Sequence, residues 1–401
     1  MRISSSTIFT NNVALLNQQQ SQLALTQQQI ASGIQLTNAA VDPVAYTQAL
    51  SVTQATAIND QQAASGTAAL NAVSLEESTL QSVTNLMQSA RTTVVSAGNG
   101  SLNAADRATL ANTLSGQLQQ LMGLANTQDS TGSYMFSGFQ SQTQPFVATP
   151  AGVAYFGDDG QRTMQVGSGR QIPVNDSGAN VFMRIKNGNG TFVTQAATAN
   201  TGSATISAGS VMNPAALTGN NYSISFAQAA GSTTYTVTNM TTGLPVTGMS
   251  AQPYVSGQAI SFDGMQVNIQ GAPAAGDSFT VAPSTNQSMF TTISNMITAL
   301  NSPATGAALT NSLDSGLTNI DNALNNVLNT QTSLGLRINE INSLQQTGAS
   351  TSLQLQQTLS TLQDTNVTQA ISNLDLQQTI LQAAQKSFVQ VANLSMFSYL
   401  P

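Results

Sequence analysis

Apolar side chains recur every seventh residue at both ends of this chain. Near the N-terminus Phe9, Leu16, Leu23 and Ile30 make one row, with Val13, Gln20, Gln27 and Ile34 four positions further along. Near the C-terminus Val367, Leu374, Leu381 and Phe388 make another, with Ala370, Gln377, Ala384 and Val391 three positions on. A seven-residue repeat draws a narrow apolar stripe along one face of a helix, the pattern of a coiled coil. Two stripes of equal length at opposite ends predict that the two ends lie side by side, with everything between them a long excursion out and back.

The first seam is broken at Gly33. Asp42-Pro43 then offers an N-cap acceptor followed by proline at the first helical position, which starts a second helix. Leu50, Ala57, Leu70, Val73, Leu80, Val83, Leu86, Met87 and Val94 keep helical spacing until Gly98-Asn99-Gly100. At 1.5 Å per residue that run is roughly 80 Å long, too long for a globular core and suited to one arm of a bundle. Ser74 and Glu77 match a capping box, but the apolar rhythm passes through them unbroken, so the spacing predicts one continuous helix. Asn103 and Asp106 cap a return helix carrying Leu110, Leu114, Leu118, Leu121 and Leu124. Beyond it Tyr134, Met135, Phe136 and Phe139 cluster as a hinge core.

From about residue 140 the period changes to two. Residues 181–186 and 191–193 flank Asn187-Gly188-Asn189-Gly190 and predict a hairpin; Ile260 and Phe262 face Met265, Val267 and Ile269 across Asp263-Gly264 and predict another. Tyr222-Ser223-Ile224-Ser225-Phe226 and Tyr235-Thr236-Val237-Thr238 alternate as half-buried strands. Helical rhythm returns with Phe290, Ile293, Met296, Ile297 and Leu300 and breaks at Asn301-Ser302-Pro303. A second long run from Leu309 to Leu344 pauses at Gly348, and a closing helix with Leu353, Leu355, Leu359 and Leu362 leads to the terminal seam.

These elements predict a chain that is mainly α with inserted β domains. Residues 1–41 and 357–401 form a terminal coiled coil, and 42–139 with 285–356 a long antiparallel helical rod. Residues 140–195 and 196–284 form one or two outer β modules, dividing in the Thr-, Ala- and Gly-rich stretch at 196–209.

Composition sharpens this reading. The 401 residues are 40% hydrophobic, enough for real cores, yet only 6% are charged, against about 25% in ordinary globular proteins. No charge falls between Ile3 and Val41, and from Ile341 onward only Asp364, Asp375 and Lys386 appear. A coiled coil without flanking ion pairs gives up one device for choosing a single partner, but many identical helices can then crowd together without repulsion. The pattern therefore favours self-assembly. Glutamine in the rows weakens an isolated pair, so the ends are expected to fold fully only when packed among neighbours.

Cysteine, histidine and tryptophan are absent. That removes nucleophilic cysteine, Cys or His metal sites and imidazole proton shuttles. Nine Lys and Arg against sixteen Asp and Glu give a net charge of −7, and the basic residues are scattered, so nucleic acid is not a partner. No run approaches the roughly 20 apolar residues of a membrane span, and no apolar core follows Arg2 as in an ordinary signal peptide. Composition nonetheless favours an exported surface structure. Asp158 and Asp159 are adjacent and flanked by glycine, which reads as a turn, not as a pair of catalytic carboxylates. Gly167-Ser168-Gly169-Arg170 lacks the strand-to-helix context of a phosphate loop, and no acidic spacing matches a calcium loop. No catalytic residue, metal or cofactor is expected.

Several stretches resemble the flagellin and hook-associated group of bacterial axial proteins. They are Met1-Arg2-Ile3-Ser4, Thr37-Asn38-Ala39-Ala40-Val41-Asp42-Pro43-Val44-Ala45, Val73-Ser74-Leu75-Glu76-Glu77-Ser78, Ala97-Gly98-Asn99-Gly100, Gly132-Ser133-Tyr134-Met135-Phe136-Ser137-Gly138-Phe139, Gln385-Lys386-Ser387-Phe388 and Leu394-Ser395-Met396-Phe397. The Asp-Pro and Tyr-Met-Phe-Ser-Gly segments separate the hook-associated branch from flagellin. The resemblance implies a structural ring between hook and filament, exported unfolded through the flagellar type III apparatus without a cleaved signal. It further implies as partners copies of the chain itself, a hook-associated protein on the hook side, flagellin or a second junction protein on the filament side, and an export chaperone guarding the last helix. Inner packing would then fall to Phe9, Val13, Leu16, Leu23, Ile30, Val367, Leu374, Leu381, Phe388 and Val391, and chaperone contact to Leu374, Leu381, Phe388 and Val391. Flagellin itself is the near alternative, and a secreted adhesin the distant one.

Overall fold

The structure, a computed structural model, describes residues 5–229 and 231–397; of residues 5, 6, 8, 229 and 391–397 it describes the backbone alone. The chain divides into two compact units, Met1–Ala64 with Leu344–Pro401, and Ser65–Ser343. Helices α1 (Ser5–Ser32), α2 (Pro43–Ala97) and α3 (Ala104–Ala125) precede the strands, and α4 (Met289–Asn301), α5 (Ala307–Gln363) and α6 (Val367–Phe397) follow them. Both α2 and α5 contribute residues to both units.

Local signals set most helix ends. The Asp42 carboxylate accepts from the backbone N–H groups of Val44 and Ala45, each at 3.0 Å, so proline at the next position loses nothing. Asn103 and Asp106 close a reciprocal capping box at the start of α3. Gly33 takes φ +72° after the last residue of α1, where its N–H donates to Gln29 O at 2.9 Å. Gly348 does not interrupt its helix: α5 runs 57 residues straight through it. One glycine costs about 1 kcal/mol in a helix, too little to break one whose turn is also held, here by Asn59 Nδ2 donating to Gly348 O at 3.1 Å.

Between α3 and α4 lie β1 (Phe146–Thr149), β2 (Gly152–Tyr155), β3 (Thr163–Gly167), β4 (Arg170–Pro173), β5 (Ile185–Lys186), β6 (Phe192–Ala196), β7 (Thr205–Ile206) and β8 (Ser210–Val211). Then follow β9 (Tyr222–Ala229), β10 (Ser232–Asn239), β11 (Leu244–Pro245), β12 (Gln252–Pro253), β13 (Ala259–Phe262), β14 (Met265–Gln270), β15 (Ser278–Pro283) and β16 (Asn286–Gln287). One sheet has the order β11-β10-β9-β15-β6 with β12 also on β10. A second has β13-β14-β7 with β8 also on β14. Alternation decides which faces meet: Tyr222, Ile224 and Phe226 of the first sheet and Met265, Val267 and Ile269 of the second are buried in one shared core. Tyr222 and Phe262 rings lie 5.0 Å apart across it.

The Asp263-Gly264 hairpin forms as expected, with Phe262 opposite Met265 and φ +43° and +78° at the two turn residues, a type I′ turn. The Asn187-Gly190 hairpin does not. A turn is present there, but β5 pairs with β16 and β6 with β15. The reason is tertiary. Residues Ala179–Met183 wind into a π-helical turn that sinks Phe182 among Phe136, Phe146 and Phe290, at ring separations of 5.1, 5.3 and 6.0 Å. Met135 is buried beside Phe136, whereas Phe139 is exposed.

In the larger unit α2, α3, α4 and α5 bury Leu80, Val83, Met87, Leu114, Leu121, Ile293, Met296, Ile320, Val327 and Leu334. Asparagines on α5 tie the strand-bearing segment to that core. Asn311 Nδ2 donates to Ala204 O at 3.2 Å and its Oδ1 accepts from Ile206 N at 2.9 Å. Asn319 Oδ1 accepts from Gly188 N at 3.0 Å. Asn322 donates to Lys186 O and Gly188 O, and Asn326 to Asn180 O and Val181 O. Carboxamides at one helix face thus satisfy backbone groups that no sheet partner reaches.

Candidate assembly interface

Within the smaller unit α1 and α6 run antiparallel. Phe9, near the start of α1, has its ring 5.2 Å from that of Phe388, near the end of α6. At the opposite end Thr365 N donates to Gly33 O at 2.9 Å, Thr365 Oγ1 to Gln29 O at 3.3 Å and Gln35 N to Gln363 O at 2.6 Å. Ile34 and Asp364 form an antiparallel bridge there.

Along α6 the covered positions are Ala370, Leu374, Gln377, Leu381, Ala384 and Phe388, in alternating steps of four and three. That spacing is the seam of a two-helix coil. On α1 the matching set is Leu16, Gln19, Leu23, Thr26 and Ile30, with Asn12 and Val13 half-buried near its start. The second row of α1 is therefore three positions on, not four. Gln20, Gln27 and Ile34 are exposed. Val13 and Ile34 are apolar and draw a hydrophobicity reading to the wrong row, but Ile34 lies past the end of α1, where Gly33 turns the chain. Asn12, Gln19 and Thr26 carry no hydrophobic signal, so only their opposition to α6 reveals them. Thr26 is tolerated because its hydroxyl donates to Gln22 O, 3.1 Å away in its own helix.

Of the other expected packing residues, Leu374, Leu381 and Phe388 lie half-buried in the seam, whereas Val367 sits at its edge, 49% exposed. Val391 belongs to α6, but its side chain lies outside the described residues, as do Met1 to Ser4 altogether. The seam is neither dry nor deep. Among the described side chains of these two helices only Thr26 and Ala370 are buried, and Gln377 Oε1 is enclosed without a hydrogen-bond partner. Leu15, Ile371, Leu376, Ile380 and Val389 stay exposed on the remaining faces. Two helices can cover one stripe each, and these carry more than one.

Charge follows the same division. Asp375 and Lys386 of α6 are exposed, and the ion pairs among the described residues all lie in the larger unit, as in Arg91 with Asp321 at 2.7 Å. The two adjacent carboxylates separate: Asp158 Oδ1 accepts from Phe139 N and Gly160 N, each at 2.8 Å, and Asp159 pairs with Arg184 at 2.7 Å. That guanidinium holds the Asp159 carboxyl below the usual carboxylate range. Gly167-Ser168-Gly169-Arg170 is the turn between β3 and β4. Among the described residues no helix is long and apolar enough to cross a membrane.

Residues 3–141 match the bacterial flagellin N-terminal helical region, and residues 195–283 match the D2-like domain of flagellar hook-associated protein 1. Flagellar hook-associated protein 3 of Salmonella typhimurium is 28% identical over 99% of both chains. The flagellar junction protein FlgL of Legionella pneumophila, a crystal structure, is 37% identical at a TM-score of 0.72, covering 79% of this chain and all of that one. The chain belongs to the flagellar hook-associated protein 3 family. FlgL of Xanthomonas campestris agrees, at 29% identity and a TM-score of 0.71 over 77% of this chain and 99% of that one. Flagellin is not favoured, because its family model stops at residue 141 whereas relatives in the hook-associated protein 3 family match from end to end. Membership places the protein in the bacterial flagellum, among structural relatives.

Proposed function

We propose that copies of the chain form the ring that joins the hook to the flagellin filament, and that the protein acts by packing and carries out no reaction. The observation carrying this reading is the α1–α6 pair: a shallow seam, exposed apolar residues on its outer faces and almost no charge. Such a surface buries more when like helices crowd around it, and nothing electrostatic opposes the crowding. Phe9, Val13, Leu16, Leu23, Ile30, Val367, Leu374, Leu381, Phe388 and Val391 are proposed as inner packing residues. A hook-associated protein on one side and flagellin or a second junction protein on the other are the proposed neighbours.

The proposed division keeps 1–41 with 357–401 innermost, 42–139 with 285–356 as helical rod, and the strands outermost. β6 pairs with β15 across the 195/196 line and goes with the second module. The chain is further proposed to leave the cell unfolded through the flagellar export apparatus without a cleaved signal. An export chaperone would take Leu374, Leu381, Phe388 and Val391; α1 covers the first three of these, so chaperone binding and α1 packing exclude one another. Deletion of the gene tests the function. Cells should build hooks, lack filaments and release flagellin into the medium; intact filaments in that strain would overturn the junction role.

A further inference from the structure

Glu76 of α2 is a carboxyl for which assembly has no use. It has no exposed surface, and it makes a single hydrogen bond, Oε1 accepting from Asp176 N at 3.1 Å. Its Oε2 is buried without a partner. Asp176, in the loop after β4, is already satisfied: Arg337 of α5 grips it with both terminal nitrogens at 2.9 and 3.0 Å, and Gln161 Nε2 donates to it at 2.7 Å. The charged groups facing Glu76 are thus Asp176 from that loop, Arg337 from α5 and Arg162 from the turn before β3. Arg162 Nε is itself buried without a partner, and its charge also acts on Asp129. An ionised carboxylate with one donor and one bare oxygen is costly in such a place, and the neutral acid is not. Burial first, and the charge of Asp176 second, raise the Glu76 carboxyl from 4.5 to about 8, against the opposing hydrogen bond from Asp176 N and the pull of the two arginines.

The segment closed over Glu76 is anchored at its two ends, where Phe139 N donates to Asp158 Oδ1 at 2.8 Å, Gly178 N to Phe136 O at 3.0 Å and Arg337 to Asp176, and it is least tied at the β3–β4 hairpin between them. β3 and β4 pair only with each other and join neither sheet of the sandwich. Ile172 and Val166 are buried beneath the hairpin, but its remaining ties include the Arg170–Glu340 pair, which is solvent-exposed and therefore weak. We propose that Glu76 is a proton-operated latch: neutral, it lets residues 158–178 close on α2 and α5, and on ionisation it loosens that segment while the sandwich and the helical core stay shut.

Hydrogen exchange on the full-length protein tests this. Corrected for intrinsic rates, protection of the β3–β4 amides should fall about a hundredfold relative to β9 and β10 between about pH 6 and about pH 9, and should not fall in Glu76→Gln, which keeps a neutral group of the same shape. A constant ratio, or the same fall in the variant, would overturn the latch. Should Glu76→Gln not fold, carboxyl-labelled glutamate in the native protein decides. The chain has three glutamates, Glu76, Glu77 and Glu340, so one resonance of three should titrate near pH 8. All three titrating in the ordinary carboxylate range would overturn it equally.

Discussion

Gly316 and Gly335 both sit inside α5, and their surroundings give them opposite expectations. A Cβ added at Gly316 would stand 2.0 Å from Met296 Sδ and 3.0 Å from its Cγ, in the packed core; at Gly335 it would meet nothing within 4 Å. Gly316→Ala should therefore incur an overpacking cost of roughly 1–3 kcal/mol, lessened by the give of the flexible Met296 end and by up to about 1 kcal/mol of helix propensity, so it should destabilise relative to Gly335→Ala. Gly335→Ala should gain up to about 1 kcal/mol through helix propensity, both read from the urea midpoint of unfolding. Glu76 makes a second prediction at this scale. Its folded carboxyl is raised from 4.5 to about 8, so the folded state binds the extra proton between those values. The associated stability is fully present below the unfolded value and is lost as pH rises through about 8, on the order of 5 kcal/mol in all. Glu76→Gln should flatten that decline in a pH series of unfolding midpoints; an unchanged slope would refute it.

Among the elements, α5 and α6 carry the sharpest tests. Asn326 donates to two backbone carbonyls of the π-helical turn, and Asn326→Ala leaves both without that donor. The loss should be about 1–3 kcal/mol, with faster amide exchange confined to residues 179–184 if the asparagine is a tie and not merely a polar surface residue. On α6, Leu381→Asp places a charge in the half-buried seam against α1. Thermal unfolding of the sandwich should be unmoved, since its core draws on none of α6, while incorporation into flagella is lost. Normal motility in that strain would remove Leu381 from the packing surface.

At the scale of the whole molecule, residues 344–401 and 1–64 share one compact unit although they are written at opposite ends of the chain. Trimming 1–41 and 357–401 should leave a secreted or soluble protein with native circular dichroism from the sandwich and no recovery of filaments in the deletion strain. Recovery would show that the terminal helices are dispensable. The larger unit also explains a composition that looked only like a shortage of charge. Neutral carboxamides meet peptide groups of the strand segment from one face of α5: Asn311 donates and accepts, Asn319 accepts, and Asn322 and Asn326 donate.

What lay open in the sequence was whatever depends on neighbours a few residues away. The Asp42-Pro43 start, the Asn103–Asp106 box and the Asp263-Gly264 turn are each set by local backbone geometry, and each is found where its residues stand. Tertiary structure decided the rest: that α1 uses Asn12, Gln19 and Thr26 and not Gln20, Gln27 and Ile34, that α5 continues through Gly348, that β5 and β6 take distant partners, and that Glu76 is sealed from water. Each of those outcomes balances a small local preference, of about 1 kcal/mol, against packing gathered from residues a hundred or more positions apart. No window of the chain contains both sides of that balance.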